Sequence, residues 1–247
     1  MKEYKIHIPA WFLESKRGAV VRHDIWFIGV IERETPKAYL IRQTKRIDPK
    51  TGKYVEPFHF GDFSDWYPKS VVTLTPVEGK PIHKAVFLDR DGVINEIKTE
   101  RVRYVNEADD FYLIDGVADA IAKLRRMGYK IFIATNQAGL CYGYMNEETL
   151  EAIHQKMKDE LLKQNPKAII DDIAFCPHDP RDFCPCRKPK PGMILDLAAK
   201  YDIDLSQSYM IGDMESDIQA GKAAGCQTFL IDAENSLTDF VAFLDQK

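Results

Sequence analysis

Long hydrophobic runs are absent from this 247-residue chain. No stretch approaches the roughly 18 consecutive apolar residues of a membrane-spanning helix, so no membrane partner is expected. The opening residues, Met1-Lys2-Glu3-Tyr4-Lys5, have no apolar core of the kind a secretory signal needs, and the expected location is the cytoplasm. Cysteine is scarce, at five residues. An odd count with no secretion signal argues against a disulfide framework. Charge of one sign is not in great excess either: 34 Lys and Arg against 38 Asp and Glu leave −4, which does not describe a general nucleic-acid binder. No internal repeat or low-complexity tract is present. What remains, 45% hydrophobic and 29% charged, is a globular composition. The length suits one large domain, or a small one followed by a medium one.

The charge balance favours two parts. Residues 1–80 carry 14 basic and 10 acidic side chains, a net +4, and residues 81–247 carry 20 and 28, a net −8. Short β-branched or aromatic runs in the first part (Tyr4–Ile8, Val20–Val21, Ile25–Ile31, Ala38–Ile41 and Val71–Leu74) are separated by Pro9, Gly18, Thr35-Pro36, Asp48-Pro49 and Pro68. They predict a small all-β domain, a barrel or sandwich, over 1–80. Pro76-Val77-Glu78-Gly79-Lys80-Pro81 reads as a linker. From Lys84 strands alternate with helices. Strands are expected at Lys84–Asp89, Tyr129–Asn136, Asp172–Phe175, Ser208–Gly212 and Gln227–Ile231. Helices are expected at Val117–Met127, from Glu147 behind an Asn146 cap to about Gln164, and at Gly192–Lys200, Glu215–Ala224 and Ser236–Leu244. That order predicts an α/β domain over 81–247 with a doubly wound parallel sheet. Its ligands would bind at the carboxyl ends of the strands, where Asp89, Asn136 and Asp213 fall.

The chemistry concentrates at those ends. Lys84-Ala85-Val86-Phe87-Leu88-Asp89-Arg90-Asp91-Gly92 is an apolar run ending on a carboxylate, with a second carboxylate two residues later. One could attack phosphorus while the other moves a proton. Thr135-Asn136-Gln137, Arg187-Lys188-Pro189-Lys190-Pro191-Gly192 and Gly212-Asp213-Met214-Glu215-Ser216-Asp217 follow in order. Together these pieces resemble the haloacid dehalogenase superfamily, most of whose members are Mg²⁺-dependent phosphohydrolases. The resemblance implies that Asp89 is the nucleophile and forms an aspartyl-phosphate. Asp91 would protonate the leaving oxygen and then deprotonate the attacking water. It further implies that Thr135 and Asn136 hold the phosphoryl group and that Lys188 neutralises charge on it. Mg²⁺ would sit on Asp89, the Asp91 carbonyl and Asp213, with Asp217 supporting the metal waters or the lysine.

A second metal is expected from spacing alone. Cys176, His178, Cys184 and Cys186 form C-x-H-x5-C-x-C, and three thiolates with one imidazole suit a closed tetrahedral Zn²⁺ site. Pro177, Pro180 and Pro185 stiffen a loop with little apolar content, and the loop runs directly into Arg187-Lys188. Cys141 and Cys226 lie outside this set and read as ordinary small residues. With this loop added, residues 83–232 resemble one branch of the superfamily. That branch contains the D-glycero-D-manno-heptose 1,7-bisphosphate 7-phosphatases and the histidinol-phosphate phosphatases, and in it a zinc loop stands in for a cap domain. The resemblance implies a small phosphorylated metabolite as substrate, a sugar (bis)phosphate before histidinol phosphate, and a place for Arg187 against the substrate phosphate or sugar. Three positions depart from the pattern. Val93 replaces the usual Thr, Met214 stands where the heptose enzymes carry Lys, and Cys141-Tyr142 stands where a small residue and Arg are expected. The reacting groups are intact, while two cationic contacts to the sugar substrate are missing.

The basic front part adds a competing expectation. It holds all three tryptophans, Trp11, Trp26 and Trp66, and 12 aromatic residues in all. Aromatic rings interleaved with Lys and Arg can stack bases and hold phosphates, so residues 1–80 could present a polynucleotide end to the phosphatase. A small β domain also needs large side chains simply to fill its core, and a partner-docking module is a third reading.

Overall fold

The structure is a computed structural model, and it describes residues 3–8, 25–34, 37–47, 54–55, 64–70, 72–76 and 83–246. The chain divides into two compact units, Met1–Lys80 and Pro81–Lys247.

Within the first unit, six strands form one antiparallel sheet. They are β1 (Glu3–Ile8), β2 (Ile25–Glu34), β3 (Ala38–Ile47), β4 (Tyr54–Val55), β5 (Ser64–Pro68) and β6 (Thr73–Pro76). The order is β4-β3-β2-β1-β6, with β5 also on β3. β3 extends six residues past the apolar run that marks it in the sequence, because backbone pairing with β2 carries the polar stretch from Arg42 onward. Pro68, expected to break the chain, is the last residue of β5 opposite Ala38, a strand end where a missing N–H is tolerated. Val20–Val21, Val71 and Trp11 lie outside the described residues, as does the linker beyond Pro76.

The second unit is a five-stranded sheet, β11-β10-β7-β8-β9, and every pairing in it is parallel. Its strands are β7 (Lys84–Leu88), β8 (Tyr129–Asn136), β9 (Asp172–Cys176), β10 (Tyr209–Gly212) and β11 (Gln227–Leu230). Ala85, Val86, Phe87 and Leu88 are all fully buried, as a strand covered on both faces must be. Five helices cover the sheet: α1 (Val117–Arg126), α2 (Glu147–Gln164), α3 (Gly192–Tyr201), α4 (Glu215–Ala224) and α5 (Leu237–Asp245). Local chemistry sets their ends. The Asn146 side chain accepts from the Thr149 N–H at 2.8 Å to start α2, and α4 stops at Gly225, whose φ of 93° is left-handed. The chain winds outward from β7 through β8 to β9, then returns to the other side of β7 for β10 and β11. The direction therefore switches between β7 and β10, where such sheets open a crevice at their carboxyl ends.

On the side of β9, α2 buries His154, 2% exposed, whose Nε2 finds no hydrogen-bond partner among the described residues. Burial, together with the nearby cations Arg90 and Lys158, pushes its pKa from 6.5 down to about 3, against a small pull from Asp91. The folded state therefore keeps His154 neutral while the unfolded chain protonates it. This contribution to stability is complete above the ordinary His range and is lost as pH falls from 6.5 toward 3, by up to about 1.4 kcal/mol per pH unit. His154→Leu should gain on the wild type progressively as urea midpoints are measured from pH 7.5 down to about 4.5. Parallel pH curves for the two proteins would mean that His154 takes up a proton in the fold.

Candidate active site

Two loops meet at the switch point. Asp89 follows β7 and Asp213 follows β10, and the Asp89 N–H donates to the Ile211 carbonyl at 2.9 Å, which ties the two strand ends together. The approach is close. Gly92, at φ 83°, lies so near Asp213 that a Cβ there would collide with its carboxylate, and a Cβ at Gly212 would overlap the Asp217 side chain. Glycine at these two positions lets the acidic side chains converge. Asp89, Asp213 and Asp217 offer carboxylate oxygens all within 4.8 Å of one another.

One cation answers this cluster. Lys188 Nζ lies 3.0 Å from Asp89 Oδ1 and 2.6 Å from Asp217 Oδ1, and Lys188 is 4% exposed. Burial works against its charge, but Asp89 and Asp217 outweigh that and hold its pKa above the usual lysine value. Burial also pushes the Asp89 carboxyl up to about 6, with Lys188 opposing and Asp217 and Asp91 adding to the rise. Asp213 moves up too, through burial and the neighbouring Asp89. Its Oδ1 is buried with no hydrogen-bond partner among the described residues. Negative charge is thus in excess around Asp89 and Asp213, and Asp213 carries an orphaned carboxylate oxygen. That is the environment a hard divalent cation satisfies.

Asp91 sits in a different environment. Arg90 is almost fully buried and grips it through Nε and Nη2 at 2.9–3.1 Å. Asn95 Nδ2 donates to the same carboxylate at 3.0 Å, and Gln137 Nε2 at 2.9 Å. Burial would raise this carboxyl, yet Arg90 and the two amide donors outweigh it and hold its pKa below the ordinary value. Gln137 Nε2 also donates to Thr135 Oγ1 at 2.9 Å. With that oxygen already accepting, the Thr135 hydroxyl proton is left to point at another acceptor. Asn136, grouped with Thr135 for phosphate on sequence grounds, uses both ends of its amide on the Lys188 backbone: Oδ1 accepts from the Lys188 N–H at 3.1 Å and Nδ2 donates to its carbonyl at 3.2 Å. It holds the lysine arm to the end of β8. Asp217 likewise faces Lys188 and accepts the Met214 N–H at 3.0 Å, closing the first turn of α4. Arg90, Asn95 and Gln137 have no assigned role in the sequence reading. The one available signal was Arg90, a cation between two carboxylates directly after a buried strand.

All of these side chains except Asn95, Arg90 and Gln137 border one open cleft of about 350 Å³, whose outer wall includes Lys98, Tyr104, Arg187 and Met214. At its edge the four donor atoms of Cys176, His178, Cys184 and Cys186 come within 4.8 Å of one another. The sulfur pairs lie at 3.4–3.5 Å and His178 Nδ1 lies 3.2–3.4 Å from two of them. A tetrahedron with metal–sulfur bonds of about 2.3 Å has edges of about 3.8 Å, so these four atoms are spaced for one metal ion. Hydrogen bonding from Cys186 pulls the Cys176 thiol down despite its burial, and the same contact and burial push Cys186 up. Arg187 Nη1 donates to the His178 carbonyl at 3.2 Å, and Lys190 Nζ to those of Phe183 and Cys184, so the cation-bearing arm is laced to the cysteine loop.

Residues 82–225 match the haloacid dehalogenase-like hydrolase family. The chain is 43% identical over 162 residues to a D-glycero-beta-D-manno-heptose-1,7-bisphosphate 7-phosphatase of Rhodopseudomonas palustris, a match covering 63% of this chain and 87% of that one. It is 40% identical over 155 residues to the protein of the same name from Helicobacter pylori, covering 63% and 87%. Among solved structures it resembles the D,D-heptose 1,7-bisphosphate phosphatase of B. bronchiseptica complexed with magnesium and phosphate. There the TM-score is 0.60 and the identity 35%, over 66% of this chain and 98% of that one.

Proposed function

The chain belongs to the haloacid dehalogenase-like hydrolases, and from that premise we propose that it is a Mg²⁺-dependent phosphomonoesterase that acts through an aspartyl-phosphate on Asp89. The observation that carries the reading is the convergence at the switch point: a buried carboxylate paired with Lys188, beside an unsatisfied Asp213 oxygen. Asp89 attacks phosphorus, the ester oxygen leaves, and water later attacks the acyl-phosphate. Lys188 offsets charge on the nucleophile and the phosphoryl group, and the Thr135 hydroxyl donates to a phosphoryl oxygen. Asp91 gives its proton to the leaving oxygen and regains one from the attacking water. Arg90, Asn95 and Gln137 favour the ionised Asp91, the form that receives the water's proton. Asp89, Asp213 and the Asp91 carbonyl would hold Mg²⁺, which when bound screens the anionic nucleophile from the anionic ester.

The cysteine loop would hold Zn²⁺ as a closed site whose role is to order the Arg187–Lys188 arm, and residues 1–80 would be a separate small all-β module. The names of the relatives support a phosphorylated sugar as substrate, with D-glycero-D-manno-heptose 1,7-bisphosphate the first to test. Among the described residues no helix is long and apolar enough to cross a membrane.

The test is phosphate release with Mg²⁺ from a panel of heptose 1,7-bisphosphate, histidinol phosphate, p-nitrophenyl phosphate and oligonucleotides with a 3′- or 5′-phosphate. Preference for the heptose ester is expected. Preference for an oligonucleotide end would overturn the sugar assignment and make residues 1–80 the substrate handle. No release from any ester would overturn the phosphomonoesterase reading itself.

A further inference from the structure

Arg90 holds Asp91 with two of its three nitrogens. Nε and Nη2 donate to the carboxylate, and Nη2 also donates to Gln137 Oε1 at 3.2 Å. Nη1 is buried and has no hydrogen-bond partner among the described residues. Arg90 is 1% exposed, so bulk water does not reach that nitrogen, and a guanidinium donor left alone at such depth is costly. A complementary atom lies on the same face of the sheet. Thr135 and Phe175 are register partners across β8 and β9, Gln137 bonds Thr135 on that face, and the His154 ring sits 6.0 Å from the Phe175 ring. His154 Nε2 is likewise buried without a partner. Burial first, and the Arg90 charge next, push the His154 pKa down, so the guanidinium is a near neighbour and the ring is neutral. The surroundings of Asp91 thus hold three buried polar atoms that want a partner, with Asn95 Oδ1 the third.

Arg90 Nη1 can only donate, and a neutral imidazole has one nitrogen that accepts. Nη1 and Nε2 make no direct hydrogen bond, and one buried water, which both accepts and donates, answers two such atoms at once. We propose that His154 is a positioning residue: through a buried water it fixes the free edge of the Arg90 guanidinium, and Arg90 in turn fixes the Asp91 carboxyl against the leaving oxygen. A guanidinium held along one edge can rock about that edge, and a contact at Nη1 stops it. The role rests on the phosphomonoesterase reading above, because it requires Asp91 to protonate the leaving oxygen. It gives α2, which carries none of the reacting groups, a part in the reaction.

Proton donation matters more the poorer the leaving group. p-Nitrophenolate leaves without a proton, while the alkoxide of an alkyl ester needs one. The test is therefore kcat/KM, which covers the steps through formation of the aspartyl-phosphate, for p-nitrophenyl phosphate and for the alkyl ester cleaved best, in wild type, His154→Leu and His154→Gln. Leucine fills similar space and demands no hydrogen bond, so His154→Leu should fold, with a urea midpoint at neutral pH near that of wild type. It should lose about tenfold on the alkyl ester and stay within about twofold of wild type on p-nitrophenyl phosphate. His154→Gln, whose amide oxygen can accept in place of Nε2, should regain most of the alkyl rate. An equal loss on both esters would mean a general disturbance of the site and overturns the proposal. So does an unchanged alkyl rate in His154→Leu, or a His154→Gln no better than His154→Leu. In each of these cases wild type still cleaves both esters and only the role of His154 falls. If wild type cleaves no ester, the phosphomonoesterase reading falls with it. A crystal structure should place one ordered water within hydrogen-bond reach of both Arg90 Nη1 and His154 Nε2, and a dry contact there would overturn the link.

Discussion

Asp89→Asn is expected to lower phosphate release by at least about 10³-fold while leaving the protein folded. The substitution is nearly isosteric and removes only the nucleophilic charge. An amide oxygen can still accept the Arg90 N–H, which donates to Asp89 Oδ1 at 2.7 Å. Lys188 keeps its nearer partner, Asp217, at 2.6 Å, so it is not left buried and alone. The variant also relieves the crowding that burial and the neighbouring carboxylates impose on Asp89 in the metal-free protein. Its urea midpoint without Mg²⁺ should therefore equal or exceed that of the wild type. Activity and stability moving in opposite directions is the signature of a reacting group rather than a packing residue. Activity within tenfold of wild type would remove Asp89 from the chemistry. Activity lost together with the midpoint would leave the residue a structural role instead.

Asp91, Lys188, Asp217 and the ligands of the cysteine loop are legible in the sequence by motif and spacing, whereas three residues of the candidate site are legible because each is a polar residue that ends an apolar run. Asp89 after Val86-Phe87-Leu88, Thr135 after Ile131-Phe132-Ile133 and Asp213 after Met210-Ile211 announce strand ends, and a parallel sheet gathers its strand ends at one edge. The helices of the second unit are legible for a similar reason, because Asn146, Gly225 and Ser236 stop or start them by local chemistry. What the sequence hides is pairing across distance. The cage around Asp91 joins Arg90 to Gln137, 47 residues away, and Asn136 clamps Lys188 from 52 residues away. No local pattern encodes either contact. The extension of β3 through Arg42–Ile47 is hidden for the same reason, since backbone pairing rather than apolar patterning defines it.

The second large effect is expected at the cysteine loop, and it should fall on activity more than on global stability. Freshly purified protein should carry one tightly held Zn²⁺ per chain by metal analysis, and Cys176→Ser should lose it. Cys226→Ser should not, because Cys226 is buried elsewhere and burial alone pushes its thiol up to about 12. The loop has little apolar content of its own to replace the ion. It is held by the four clustered donors, by the contacts of Arg187 and Lys190 to loop carbonyls, and by Asp179, which accepts from Arg181. The core under the sheet is built from β7, β8, β10 and the covering helices and does not depend on the loop. Losing the ion should therefore lower global stability only modestly, by about 2 kcal/mol. Lys188, however, lies two residues beyond Cys186 and pairs with both Asp89 and Asp217. Displacing it should lower kcat/KM by about 10- to 100-fold, the range seen when groups that orient a site are removed. Metal-free wild-type protein with full activity would sever the loop from catalysis. A large loss in Cys176→Ser, matched by wild type stripped of Zn²⁺ and then assayed with Mg²⁺ restored, would tie the position of Lys188 to that ion.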